Sequence, residues 1–304
     1  MEMTIIKEAI RNRKYDIQYL FENDLHFNKR VFKQELGREP DFVSPRTFSE
    51  KLCFLKMHYY NMLQNTCADK LTVCDYVRQC GYPDIIKEIY AVYTDPLEID
   101  FTKLPEKVFI QCSHTQGFNY VVTRDDKKKQ EYIKKMYKVI LRRKHYKNLR
   151  ENCYKHVIPR IICSEYLEEP GCETLTDYKF YCFSGEMKYF MVSYGEFNHN
   201  VKNHKFDKNW NSIDHLFKKQ QAISPESIKR PPNFEKMVEI AEKLSAPFPH
   251  ARIDLYNIDG RIVFGEITFY SAGGFVHVAS EEMDREIGGW IDLSRYSNYM
   301  IKNN

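Results

Sequence analysis

No apolar run approaches the roughly 18–20 residues that a helix needs to cross a bilayer, so a helical membrane span is not expected. The start, Met1-Glu2-Met3-Thr4-Ile5-Ile6-Lys7-Glu8, has no basic stretch leading into an apolar one, and a secretory signal peptide is not expected either. The nine cysteines form no C-x-x-C pair, which removes zinc-ribbon spacing. Their odd number, mostly within apolar periodic stretches, reads as reduced thiols acting as small hydrophobes in a cytoplasm. No period of roughly 20–50 residues recurs, which excludes a solenoid. A strong excess of one charge is also lacking: 46 Lys+Arg stand against 42 Asp+Glu. A net charge of +4 names no nucleic-acid partner.

What is present is material for a core. The chain has 304 residues, of which 43% are apolar, with 22 Tyr and 20 Phe. At this length roughly 75% of the extended surface can be buried. Disordered chains are poor in aromatics and unbalanced in charge, so that class is excluded. The basic excess is local: Arg124 to Lys155 holds thirteen Lys/Arg and four Asp/Glu.

Residues 1–35 have helical spacing, and Gly37–Pro45 is a turn-rich break. Ser49 offers a capping hydroxyl ahead of Leu52, Leu55, Lys56 and Tyr59, and a further helix fits Asp69–Cys80, stopped by Gly81. Ile89–Tyr93, Val108–Cys112 and Phe118–Val122 read as strands, the last two as a hairpin around Ser113–Gly117. Asp125–Arg150 reads as one long basic amphipathic helix, chiefly a solvated face over a packing stripe. Pro159–Leu167 is a strand ending in an acidic turn, and Tyr178–Phe183 and Lys188–Val192 flank the hairpin signal Ser184-Gly185. Asn198–Asn211 reads as a polar loop and Asn233–Ala246 as a helix. Ala251–Tyr256 and Arg261–Phe269 close the series as a hairpin.

That last hairpin holds the most informative chemistry. Side chains alternate along a strand, so Arg252 and Asp254 share one face, and Glu266 and Thr268 share the matching face of the partner strand. Two carboxylates and a hydroxyl converging beside an arginine are the hard oxygen donors that Mg²⁺ takes together with substrate phosphates. The plainer alternative is a solvated polar face with weak ion pairs. Gly273-Gly274 follows, a loop whose N–H groups offer donors to a developing oxyanion. His199 and His204 lack Cys or acidic partners at zinc-ligand spacing, and Cys112 has no identifiable base beside it. No Ser/His/Asp or Cys/His constellation is recognisable.

The order Arg-x-Asp, hairpin, Glu-x-Thr, glycine loop resembles the metal-binding end of ATP-grasp ligases. D-alanine–D-alanine ligase and its relatives have Arg-x-Asp, Glu-x-Asn and a glycine loop in that order. The longer set is similar to the TupA-like ATP-grasp family, associated with bacterial surface-polysaccharide and teichuronopeptide biosynthesis. It comprises Thr47-Phe48-Ser49-Glu50-Lys51, Ala68-Asp69-Lys70, His114, Asp177-Tyr178-Lys179-Phe180, Arg252–Tyr256 and Gly265–Tyr270, and covers about residues 40–280. The resemblance implies an α+β ATP-grasp fold, two subdomains clasping ATP: a helical region over 1–85, a lid and nucleotide subdomain over 86–168, and a catalytic, metal-binding subdomain over 169–304. It further implies ATP contacts at Lys70, at Gln111, His114 and Gly117 in the lid hairpin, and at Glu165, Tyr166 and Leu167 in the adenine linker. Asp177 falls at the ribose, and Lys179 with one of Lys202 or Lys205 at the phosphates. Asp254, Glu266 and Thr268 fall at Mg²⁺, with Arg252 and the Gly273 and Gly274 N–H groups at the transferred group.

Two departures stand out. Gln111 replaces the lysine usual on the strand entering the lid, and Thr115-Gln116-Gly117 has one glycine fewer than the usual loop. The function implied is a carboxylate–amine ligase working through an acylphosphate. Its substrates would be an acidic glycan or nucleotide-sugar uronate and a small amine, in the cytoplasm, with peripheral association to the inner membrane or a polysaccharide-assembly complex. A surface-polysaccharide glycosyltransferase and a catalytically degenerate glycan- or nucleotide-binding partner remain as alternatives.

Overall fold

Asn23 breaks the first helical stretch in two. Its side chain accepts from the His26 N–H, capping α2 (Asp24–Leu36) behind α1 (Glu2–Phe21). In the computed structural model, residues 2–169, 171, 174–195, 201–218, 224–225 and 228–300 are described; His199, Asn198 and Cys172 lie outside them. The helix expected near Ser49 is α3 (Phe48–His58), and its cap is Thr47, not Ser49. Thr47 and Glu50 form a reciprocal capping box, while Ser49 lies inside the first turn. The stretch Asp69–Cys80 is not one helix. α4 (Met62–Ala68) ends at Asp69, whose carboxylate takes the Leu71 N–H and the Arg160 guanidinium (2.7 Å), so helix resumes only at α5 (Val73–Gln79).

Two antiparallel sheets follow. The first, ordered β1-β4-β2-β3, comprises β1 (Ile89–Tyr93), β2 (Lys107–Cys112), β3 (Tyr120–Thr123) and β4 (Ile161–Glu165). One face packs on α6 (Lys127–Ile140), whose Ile133, Met136, Tyr137 and Ile140 are fully buried against Val108, Ile110 and Cys163. The expected single helix to Arg150 ends at Ile140. Continuing it would place Arg143 and Lys144, three and four residues on, over the apolar stripe. The chain instead turns, Arg143 pairs with Glu8 (2.5 Å) and Asn12 (2.6 Å) of α1, and a short α7 (Tyr146–Leu149) follows with Lys147 on Asp16 (2.5 Å).

The second sheet, ordered β7-β6-β5-β8-β9, comprises β5 (Asp177–Phe183), β6 (Glu186–Tyr194), β7 (Lys202–Asp207), β8 (His250–Ile258) and β9 (Arg261–Thr268). The polar loop expected at Asn198–Asn211 therefore contains a strand. Its polarity hides the alternation of His204 and Phe206 against Asn203 and Lys205, and pairing with β6 decides its form. Phe180, Phe190 and Phe206 on one face of this sheet pack beneath α8 (Phe234–Ser245), with Phe190 and Phe234 centroids 4.8 Å apart. α9 (Glu281–Gly289) lies against α3. A side chain at Gly288 would come within 2.2 Å of the Arg46 carbonyl, so only glycine permits that approach. The eight described cysteines are free thiols.

Candidate functional site

Register on the larger sheet assembles the site. Lys205 pairs with Met191, Met191 with Lys179, Lys179 with Asp254 and Asp254 with Glu266, so one row runs across all five strands. Directly opposed residues share a face, and this is the face away from α8. One step along β8 and β9, Arg252 and Thr268 form the neighbouring pair. The expected convergence of Arg252, Asp254, Glu266 and Thr268 is thus present, with a bulge between Asp254 and Leu255 just beyond it.

The side chains close into one charged network. Arg252 holds Asp254 with two hydrogen bonds of 2.7 Å and reaches the Thr268 hydroxyl at 3.1 Å. Lys179 donates to Asp177 (2.5 Å) and Asp254 (3.2 Å), and Lys70 donates to Glu266 (2.9 Å) from outside the sheet. Burial works to raise the Glu266 carboxyl, but the charges of Lys70 and Arg252 outweigh it and hold it well below the usual range. Burial likewise opposes the Arg252 charge, and Asp254 more than restores it. Lys70 is fixed further by its N–H, which donates to the Ser113 carbonyl at the end of β2 (3.0 Å). Asp177 sits buried at the head of β5, where it accepts from Lys179. Lys205 is on the site face, 3.9 Å from Asp214, whereas Lys202, of opposite parity, points to the other.

The smaller sheet presents a different wall. Val108, Ile110 and Cys112 turn toward α6, so Lys107, Phe109 and Gln111 take the opposite face. Gln111 is buried there. His114, one of the expected nucleotide contacts, follows in the loop after β2. Its ring lies buried against α6 with Nε2 3.2 Å from the Ile140 carbonyl, and burial pushes it down to about 4, so it is neutral. Gly117 has a positive φ and open surroundings. Arg261 of β9 grips Glu165 at 2.6 and 2.9 Å, joining the two sheets. Tyr166 lies under the Lys107 ammonium and Leu167 is buried beside it.

Gly273 and Gly274 are also used otherwise than the sequence suggests. The Gly273 N–H donates to the Tyr270 carbonyl (2.9 Å), and a side chain there would meet Leu149 at 2.8 Å. Gly274 packs against Cys53 of α3. Their positive φ serves a tight, packed turn, in which the Gly273 N–H is already engaged. That turn is gripped by Lys56, fully buried, whose ammonium donates to the Gly273 carbonyl (2.5 Å). Two further groups escape a sequence reading. Glu151 is buried, and its carboxyl is pushed up to about 7 by burial, partly offset by Lys56. Lys87 reaches over the Phe109 ring at 4.7 Å. Lysine at an apolar helical position was a signal for Lys56; nothing in the pattern marks the other two.

Asp254, Glu266 and Thr268 fit a hard divalent cation by donor chemistry, two carboxylates and a hydroxyl on one rigid hairpin. Among the described residues no cluster of three or more His, Cys, Asp or Glu exists. Among the described residues no helix is long and apolar enough to cross a membrane.

Comparison with known proteins gives one decisive match. Among solved structures, D-alanine–D-alanine ligase from Bacillus anthracis is similar at 13% identity and TM-score 0.43, over 80% of this chain and 69% of that one. The corresponding Helicobacter pylori ligase gives 12% and 0.43, over 81% and 69%. The D-cycloserine synthetase DcsG gives 9% and 0.39, over 75% and 71%. No curated protein matches the sequence significantly. The profile of the family described as TupA-like ATPgrasp matches residues 50–292, which spans both sheets and every charged residue of the network, and the chain belongs to that family.

Proposed function

We propose that the protein is an ATP- and Mg²⁺-dependent ligase that joins a carboxylate to an amine through an acylphosphate. The observation that carries this reading is the row Lys179–Asp254–Glu266, flanked by Arg252 and Lys70, on one face of a rigid sheet. Such a row offers anionic oxygens for a cation and ammonium groups for phosphates side by side. Asp254, Glu266 and Thr268 would hold Mg²⁺, which when bound supplies neutralisation of charge on the β- and γ-phosphates.

The substrate carboxylate attacks the γ-phosphorus, the bond to the β-phosphate oxygen breaks, and ADP departs. The amine then adds to the acylphosphate carbonyl and phosphate leaves. Lys70 and Lys179 orient the phosphates, both restrained by ion pairs so that little ordering cost remains on binding. Arg252, held along one edge by Asp254, steadies the transferred phosphoryl group and the oxyanion, a task the Gly273 N–H is already committed away from. No enzyme nucleophile is needed.

The substrate class follows the family's association: a uronate carboxylate of a surface glycan and an amino acid or amino alcohol as amine. Lys127, Lys128, Lys135 and Lys138 of α6 remain exposed, and they would attract an acidic glycan or an anionic membrane surface in a salt-sensitive way. The test is ADP release from purified protein with ATP, Mg²⁺ and candidate uronate and amine. ADP formed only when both are present supports the ligase; a nucleotide-sugar donor consumed in place of ATP overturns it.

A further inference from the structure

We infer that Lys87, brought in from outside the sheet, supplies the cation for the nucleotide's phosphates on the wall where β2 presents Gln111. The inference rests on the nucleotide reading above. On the inward face of the smaller sheet, Phe109 and Gln111 of β2 lie opposite Ser164 and Ile162 of β4. None of these four bears a charge, so that stretch of the wall offers a polyphosphate only a neutral amide, a hydroxyl and apolar surface. Lys87 lies two residues before the start of β1, and its ammonium stands 4.7 Å from the centroid of the Phe109 ring. Phe109 and Gln111 are two residues apart on one face, so that ammonium shares its wall with the glutamine.

Three observations separate Lys87 from an ordinary surface lysine. It makes no ion pair among the described residues, while Lys70, Lys179 and Arg252 are each paired with a carboxylate. It lines a cleft of about 540 Å³ together with Ile86, Ile89, Glu165 and Arg261, at the junction of the two sheets. It feels Lys70 and Glu266 electrostatically, and burial together with Lys70 pushes it down to about 8. A half-buried ammonium whose side-chain contact among the described residues is an aromatic face has room for a further acceptor. A phosphate oxygen arriving between the sheets would complete its coordination, and the phosphate's charge would draw its proton equilibrium back up.

Mg²⁺–ADP is the probe, with affinity read by calorimetry and folding by the melting temperature of the free protein. Lys87→Met should bind Mg²⁺–ADP about 10- to 100-fold more weakly, the range expected for a lost charge-assisted hydrogen bond. Lys87→Arg should stay within a few-fold of the parent, and Lys87→Met combined with Gln111→Lys should recover most of the loss. Lys87→Gln replaces the methionine variant where that one melts early. Parent-like affinity in Lys87→Met or Lys87→Gln overturns the inference while leaving the ligase reading intact. So does a loss of affinity that Gln111→Lys does not restore. Failure of the parent protein itself to bind Mg²⁺–ADP or Mg²⁺–ATP overturns the nucleotide reading, and this inference with it.

Discussion

On the five-stranded sheet the site wall is a lattice of opposite charges, each held by a neighbour: Asp254 by Arg252 and Lys179, Glu266 by Lys70. On the four-stranded sheet the stretch Phe109, Gln111, Ile162 and Ser164 is uncharged, and the Lys87 ammonium stands 4.7 Å from the Phe109 ring centroid. The first wall is built by strand alternation and is set before any ligand comes. The second depends on a single long side chain standing over an aromatic ring. A pre-paired wall favours precise geometry, and a wall with one loosely held charge favours adjustment to a ligand.

Removing charge from the paired wall should give the largest effect. Asp254→Asn keeps the shape and leaves Arg252 and Lys179 without a carboxylate between them, so ADP release should fall at least about a thousandfold, some 4 kcal/mol of barrier. Activity within tenfold of the parent in a coupled ADP assay would show that the paired wall is not where the reaction occurs. Beneath that same sheet, Phe234→Ala should cost about 3–4 kcal/mol in urea unfolding, because its ring fills the space between Phe180 and Phe190.

Acid should separate the two halves next. Burial lowers His114 to about 4 and His145 to about 3 beside the lid, and His250 to about 3 in the larger sheet. A depressed histidine is neutral in the fold and protonated in the unfolded chain. Its stabilisation is thus complete above about pH 6.5 and fades toward pH 3–4, by about 1.4 kcal/mol per pH unit for each ring. Glu151, raised to about 7, acts oppositely between roughly pH 4.5 and 7 and cancels one of the three. His114→Gln should therefore flatten the fall in stability between pH 6.5 and 5 by about 2 kcal/mol; an unchanged slope would mean that His114 is charged in the fold. The smallest change belongs to the contact joining the walls. Arg261→Ala removes an exposed pair with Glu165 and should cost under about 1 kcal/mol, with the difference vanishing in high salt.

Much of this organisation was legible in the sequence because strands announce themselves by period two. The hairpin from Arg252 to Thr268 shows its two faces directly, so Arg252, Asp254, Glu266 and Thr268 could be grouped before any coordinates. The resemblance to the family rested instead on the ordered motifs from Thr47 to Tyr270. Elements governed by distant contacts were not legible. Ending α6 at Ile140 requires knowing that Arg143 finds Glu8, and the strand over Lys202–Asp207 requires knowing that β6 lies beside it. At Gly273 the composition suggested a donor loop, whereas packing against Leu149 and Lys56 decides its use. His114 carried a polar side chain into what proved a buried contact with a backbone carbonyl. Lys87 and Glu151 gain their character only from what surrounds them in space.

The docking of α1 on α6 and α7 alters how the basic segment meets the outside. Glu8 and Asp16 take up Arg143 and Lys147, and the Glu22 carbonyl takes up Arg150. The helix is thus a built-in counterion sheath over part of the most cationic stretch in the chain. Peeling it away would expose three positive groups at once, turning a nearly balanced flank into an adhesive one, readily noticed as later elution from a cation exchanger.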